Sequence, residues 1–258
     1  MTVGLTAALQ FPPIGELVDW KQFGLPGLNK TGMLMALAAI IVFVFFMVAS
    51  RAKALVPAGA QNVGEMVFEF ITDGIIMQTM GEDGMVFLPY LTTLFMFILV
   101  CNLFEVIPVL QFPPMARMAL PLVLALITYV LFNFMGIKRQ GVGHYIKNSL
   151  FPPGVPKALY ILVTPIELLS TFIVRPFSLA VRLFANELAG HLLLVTFAVL
   201  TDTLLFHNSI TFFKPIAVLP ALMDVGLTGF ELLVAVLQAF IFTILTAVYL
   251  GLAMHPEH

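Results

Sequence analysis

ALYILVTPIELLSTFIVRPFSLAVRLFANELAGHLLLVTFAVLTDTLLF, residues 158–206, is the stretch that decides the fold. It is apolar almost throughout, and crossing the hydrocarbon of a bilayer takes about 20 such residues. A run this long must tilt strongly, kink or break. Pro165 and Pro176 allow a kink inside it. A second stretch of the same kind, roughly 215–253, follows after a turn that carries Asp202, His207 and Lys214. Both stretches also hold ionisable residues, which a purely structural span avoids.

The rest of the chain agrees. Of 258 residues, 60% are hydrophobic and 10% charged, against about 25% charged in a typical soluble domain. Too few charges remain to cover a water-exposed surface, and no polar block is long enough to form a separate soluble domain. The net charge of -2 points to no nucleic-acid partner. The single cysteine, Cys101, lies in an apolar run and reads as a packed core residue. The first residues lack the basic start and long apolar core of a signal peptide, so they are expected to stay in the mature chain.

Working outward gives an all-α integral membrane fold: about five transmembrane helices plus one interfacial helix, in a single membrane domain over 1–258. Residues 1–32 are a mixed polar segment expected outside. The first span falls in 33–56, with apolar Met33 to Ser50 followed by Arg51 and Lys53. Positive charge marks the cytoplasmic end of a span, so the N-terminus is expected outside. In 57–80 the residues Val63, Met66, Val67, Phe70, Ile71 and Ile75 follow helical spacing, with Gln61, Glu65, Glu69 and Asp73 between them. That pattern predicts an amphipathic helix in the cytoplasmic interface or packed on protein.

A helical hairpin occupies 86–137. Its first arm, Val86 to Pro108, carries Asn102 and Glu105 near the outer end, and Pro113, Pro114 and Arg117 turn the chain. Its second arm ends at Lys138 and Arg139. The following loop, 138–157, also holds Lys147 and Lys157, which suits a cytoplasmic side. The long tilted pair takes 158–253 and leaves the C-terminus inside. No internal repeat is visible.

Charge inside apolar sequence is where chemistry is sought. A charged side chain at mid-membrane costs about 2.5–3.5 kcal/mol on insertion scales, so it usually faces water or a partner. At 3.6 residues per turn, Arg175, Ser178, Arg182 and Asn186 form one stripe. Glu187 and His191, four apart, share a different face, well away from Arg182. In the last stretch Asp224, Thr228, Glu231, Ala235 and Gln238 line up. The packing that follows sets Glu187 and His191 against Asp224 and Glu231 and leaves Arg182 facing something else.

Bland readings compete at each position. Arg182 alone reads equally as half of a structural ion pair. His191 alone is a hydrogen-bonding core residue, Glu187–His191 a static pair on a helix surface, and Gln238 a polar contact between helices. What tips the balance is number and alignment. A row of acid, imidazole and amide groups across most of the membrane is a poor way to stabilise a fold and a good way to pass protons.

The run RPFSLAVRLFANELAGHLLL, residues 175–194, closely resembles the signature of subunit a of the rotary F-type ATP synthase. ELLVAVLQAFIFTILTAVYL, residues 231–250, is similar to that family's last helix, and NLFEVIP, residues 102–108, to the end of its second span. The resemblance covers nearly everything from 33 to 253. It implies a stator subunit whose essential arginine, here Arg182, faces the carboxylates of a rotating c-ring. The amide one turn on maps to Asn186 and the last-helix glutamine to Gln238. Family members place a His and an acid across the two helices. Here the pair is His191 and Glu231, in exchanged order, with Glu187 in addition. Glu105 matches an acid or amide of the outer channel, with Asn102 beside it. Glu167 resembles the acid at the inner exit, one residue off the spacing expected relative to Arg175.

The resemblance further implies two offset half-channels. Protons enter past Asp224, Glu105, His191 and Glu231, ride the ring, and leave near Ser178, Ser170 and Glu167. Arg182 stays charged, because its pKa exceeds 12, and blocks a direct leak. Expected partners are the c-ring, peripheral-stalk subunit b, the rest of the synthase and lipid, in a bacterial plasma membrane. No Walker A, HExxH or Cys/His metal spacing is present in the sequence, so no cofactor and no covalent chemistry are expected of this chain. A proton-coupled secondary transporter is the alternative, although such transporters commonly carry internal repeats. An intramembrane hydrolase is more distant.

Overall fold

A computed structural model describes residues 30–51, 59–107, 110, 112–150, 159–207 and 215–254. The described residues are helical with short turns and contain no strand. In lipid this is expected, since every backbone N–H and C=O must find a partner within its own segment. Helix α1 is Lys30–Arg51 and α2 is Ala60–Ile71. The chain continues through a π turn, Thr72–Ile76, and a last turn, Met77–Thr79. A 3-10 segment, Gly81–Phe87, leads into α3, Leu88–Val106, started by Pro89, whose missing N–H costs nothing in a first turn. Then come α4, Ala119–Gln140, α5, Val142–Leu150, and α6, Tyr160–Leu169. A π turn, Ser170–Val174, joins α6 to α7, Arg175–Asp202, which ends in a further π turn, Thr203–His207. The longest helix, α8, is Val218–Met254.

Five segments among the described residues are long and apolar enough to cross a membrane: Lys30–Arg51, Gly81–Val106, Ala119–Gln140, Tyr160–Leu205 and Pro215–Met254. The expected count therefore holds. At 1.5 Å per residue the 46-residue Tyr160–Leu205 segment is about 70 Å long. The hydrocarbon is about 30 Å thick, so a straight crossing would need a tilt beyond about 60°.

Some expectations need revision. The 86–108 arm is 3-10 up to Phe87 and α-helical from Leu88 to Val106, and Pro108 lies outside the described residues. So do Lys53, Lys157 and Lys214, as do residues 1–29 and the final four. The 138–157 segment is not all loop. After Gly141, whose φ of 79° suits glycine, the chain enters α5. Tyr145 of α5 is buried against Gly136 and donates to Asn133 Oδ1 at 3.0 Å, which ties α5 to α4. The sequence pattern missed this because α5 is short and largely polar.

The amphipathic helix forms as expected, but only a narrow seam of it is buried. Gly64, Ile71, Ile75 and Ile76 face protein. Val63, Met66 and Phe70 stay exposed, as do Glu65, Glu69 and Asp73. An exposed apolar flank beside an acidic one suits an interface between lipid and water.

The core sits where α8 packs against α3, α4 and α7, with α4 also on α7. Because lipid tails are as apolar as leucine, helix association in a membrane relies on close fit. Small buried residues on α8, namely Ala235, Ala239, Ala247 and Gly251, allow that approach. At Gly251 an added Cβ would lie 2.7 Å from the Thr79 carbonyl oxygen, so the end of α8 crosses the end of the amphipathic segment backbone to backbone. Gln140 Nε2 donates to the Ala253 carbonyl at 2.8 Å and fixes the same end.

Candidate functional site

The sequence of α7 alternates two kinds of position. Leu179, Ala180, Leu183, Glu187, Gly190 and His191 are buried. Arg182, Ala185 and Ala189 are exposed. The two faces read from helical spacing are therefore separated in space as expected. Glu187 and His191 point into the bundle while Arg182 points out of it. On α8 the buried face carries Glu231, Ala235 and Gln238. Asp224 and Thr228, one to two turns before Glu231, are half-buried.

Four ionisable side chains from three helices converge between α3, α7 and α8. They are Glu105 at 4% exposure, Glu187 at 4%, His191 at 6% and Glu231 at 8%. His191 Nδ1 lies 3.8 Å from Glu105 Oε1. The Glu105, Glu187 and Glu231 carboxyls are close enough to feel one another's charge. Asn102, also buried, donates to the Ala235 carbonyl at 3.5 Å and so links α3 to α8 beside the cluster.

Gly190 is the residue that sequence reasoning missed. A Cβ built on it would lie 2.5 Å from Glu231 Oε1 and 2.7 Å from Oε2. The Glu231 carboxylate thus occupies the space a side chain at 190 would need, one residue before His191. The available signal was the glycine in AGH, a single small residue between Ala189 and His191, which helical spacing alone does not separate from ordinary close packing.

Several buried polar atoms here have no protein hydrogen-bond partner among the described residues: Asn102 Oδ1, Glu105 Oε1, Glu187 Oε1 and Gln238 Nε2. Leaving such an atom unpaired costs about 1–3 kcal/mol. Some buried hydroxyls elsewhere are satisfied within their own helix, while Thr31 Oγ1 and Thr164 Oγ1 also lack a partner among the described residues. Thr243 and Thr246 each bond the carbonyl four residues back, at 2.8 and 2.9 Å. What distinguishes the cluster is that four such atoms, from α3, α7 and α8, gather in one place among ionisable groups.

The remaining expected residues are not in this cluster. Arg182 is exposed and makes no ion pair or hydrogen bond with the other described residues. Asn186 is half-buried one turn from it. Ser178, in the first turn of α7, and Glu167, in α6, are also half-buried. Near that end the Arg175 guanidinium stands 5.6 Å over the Tyr249 ring, a cation–π contact from α7 to α8. Among the described residues no group of three or more His, Cys, Asp and Glu side chains is arranged to hold a metal ion.

Fold and site together define a multi-pass membrane protein that stores ionisable groups inside its bundle and presents an exposed arginine on its flank. The family profile for the ATP synthase A chain matches residues 32–251. ATP synthase subunit a of Rhodococcus erythropolis is 43% identical over 249 residues, covering 96% of this chain and 88% of that protein. The Frankia alni subunit a is 46% identical over 233 residues, 90% of this chain and 79% of the relative. That of Hyphomonas neptunium is 40% identical over 248 residues, 94% of each. The chain belongs to the ATP synthase A chain family, that of the proton-translocating stator subunit of the membrane sector. The transporter and hydrolase readings end there.

Proposed function

We propose that this chain carries protons to and from a ring of c subunits through two offset half-channels, with Arg182 between them. The observation that carries the reading is the separation of two polar sets on one helix. Glu187 and His191 are buried with Glu105 and Glu231, while Arg182 is exposed beside Ala185 and Ala189. Small neighbours leave an arginine room to face a closely packed partner.

The outer half-channel runs from Asp224 past Glu105, His191, Glu231 and Glu187, with Asn102 and Gln238 lining it. Each of these groups except the two amides can hold and release a proton, and the unpaired polar atoms suit a path filled by water. Asn186, one turn beyond Arg182, supplies a neutral hydrogen-bonding group toward the ring. The inner half-channel opens near Ser178, Ser170 and Glu167. Arg182 cannot relay a proton, because a guanidinium keeps its charge in proteins. It favours the ionised form of a ring carboxylate and bars direct passage. Each charge crossing 100 mV is worth about 2.3 kcal/mol.

Partners are other subunits of the ATP synthase, among them the c-ring and the peripheral-stalk subunit b. The positive charges Arg51, Lys53, Lys138, Arg139, Lys147 and Lys157 support an outer N-terminus and a cytoplasmic C-terminus in a bacterial plasma membrane. The whole chain then acts as one membrane domain.

Arg182 tests the reading. A buried lysine can lose its charge, whereas arginine does not. Arg182→Lys should abolish ATP-driven acidification of inverted vesicles. Arg182→Ala should also let protons leak passively once the soluble head is removed. Normal pumping by Arg182→Lys, or failure of Arg182→Ala to assemble, would make Arg182 a packing residue.

A further inference from the structure

Glu167 stands eight positions before Arg175, and in an unbroken α-helix that offset turns it about 80° away from the arginine. The backbone between them is not an unbroken α-helix. Ser170–Val174 is a π turn, and the N–H of Arg175 bonds the carbonyl of Ser170, five residues back. A π turn holds one residue more than an α turn. With that residue out of the count, eight positions act as seven, and the offset falls to about 20°.

Burial supports this count independently. Thr171 is buried, as are Leu179 and Leu183. On a straight helix Thr171 would lie about 80° from Leu179 and about 120° from Leu183. With one residue absorbed it lies within about 20° of both, on the face that the bundle covers. The sequence also explains why the ladder gives way here. Pro176 has no N–H to offer the Phe172 carbonyl, and Pro165 withholds one from Ile161. Between two such gaps a wider turn costs little.

We propose that the π turn Ser170–Val174 is a register element that absorbs one residue and keeps Glu167 on the face of Arg175, Ser178 and Arg182, as the carboxylate of the inner half-channel. The proposal rests on the half-channel reading above. It accounts for the spacing of Glu167, which sequence alone puts one position out. The straight-helix position for that acid would be Leu168, which is exposed.

The test uses the intact synthase in inverted vesicles, with assembly checked by co-purification of the ring. Glu167→Gln should lower ATP-driven acidification tenfold or more. Adding Leu168→Glu to it should not restore the rate, because position 168 faces elsewhere. Deleting Ile173, an exposed residue of the turn, should keep at least half of the rate, since an α turn with seven-residue spacing presents the same face. Rescue by Leu168→Glu, or a deletion variant that is inactive or fails to assemble, overturns the register element while leaving the half-channels standing. Full activity of Glu167→Gln overturns the assignment of Glu167 to the inner half-channel itself.

Discussion

Replacing Gly190 by alanine adds one methyl group where the Glu231 carboxylate sits. The new Cβ would lie 2.5–2.7 Å from the three carboxyl atoms of Glu231, while ordinary contact begins at 3.4 Å. The carboxylate must therefore withdraw by close to 1 Å. The obstructing atoms are the far end of a flexible side chain and not backbone, so α7 and α8 can stay where they are. The stability cost should fall at or below the low end of the range for overpacking, about 1 kcal/mol. Proton transfer is less forgiving. A misplacement of about 1 Å in a reacting group can cost about a hundredfold. Gly190→Ala should thus assemble normally, with ring and stalk co-purifying, yet pump protons about 10- to 100-fold more slowly in inverted vesicles. Shortening the acid should reverse part of the loss, because Glu231→Asp removes one methylene and keeps a carboxyl. The double variant Gly190→Ala/Glu231→Asp should pump faster than Gly190→Ala alone. Normal pumping by Gly190→Ala would show that Glu231 need not sit beside His191. A loss that Asp fails to relieve would place the fault in helix packing.

Other tests address the same architecture. His191→Leu and Glu231→Leu should each slow pumping at least tenfold with assembly intact, as expected when a positioned proton carrier is lost, and normal rates in both would return the pair to a structural role. Exchanging the two residues should be milder than removing either, as read from ATP-driven acidification. Single cysteines at Leu5 and Glu257 should react with impermeant thiol reagents from opposite sides of the membrane, and labelling of both from one side would exclude an odd number of spans.

Much of this protein was legible in the order of its residues because the bilayer is a severe solvent. Runs such as Met33 to Ser50 and 215–253 have no alternative to a membrane helix, since lipid leaves their backbone no other partner. The opposed faces of Arg182 and of Glu187 with His191 follow from 3.6 residues per turn and nothing else. Tertiary structure decided the rest. That Glu105 of α3 meets His191 of α7, and that Glu231 fills the space over Gly190, depends on how three helices cross, which no local pattern encodes. The helix α5 and its Tyr145 contact are too short and polar to announce themselves. The phase of Glu167 depends on a π turn, and counting residues along a chain assumes the very α-helix that this turn interrupts.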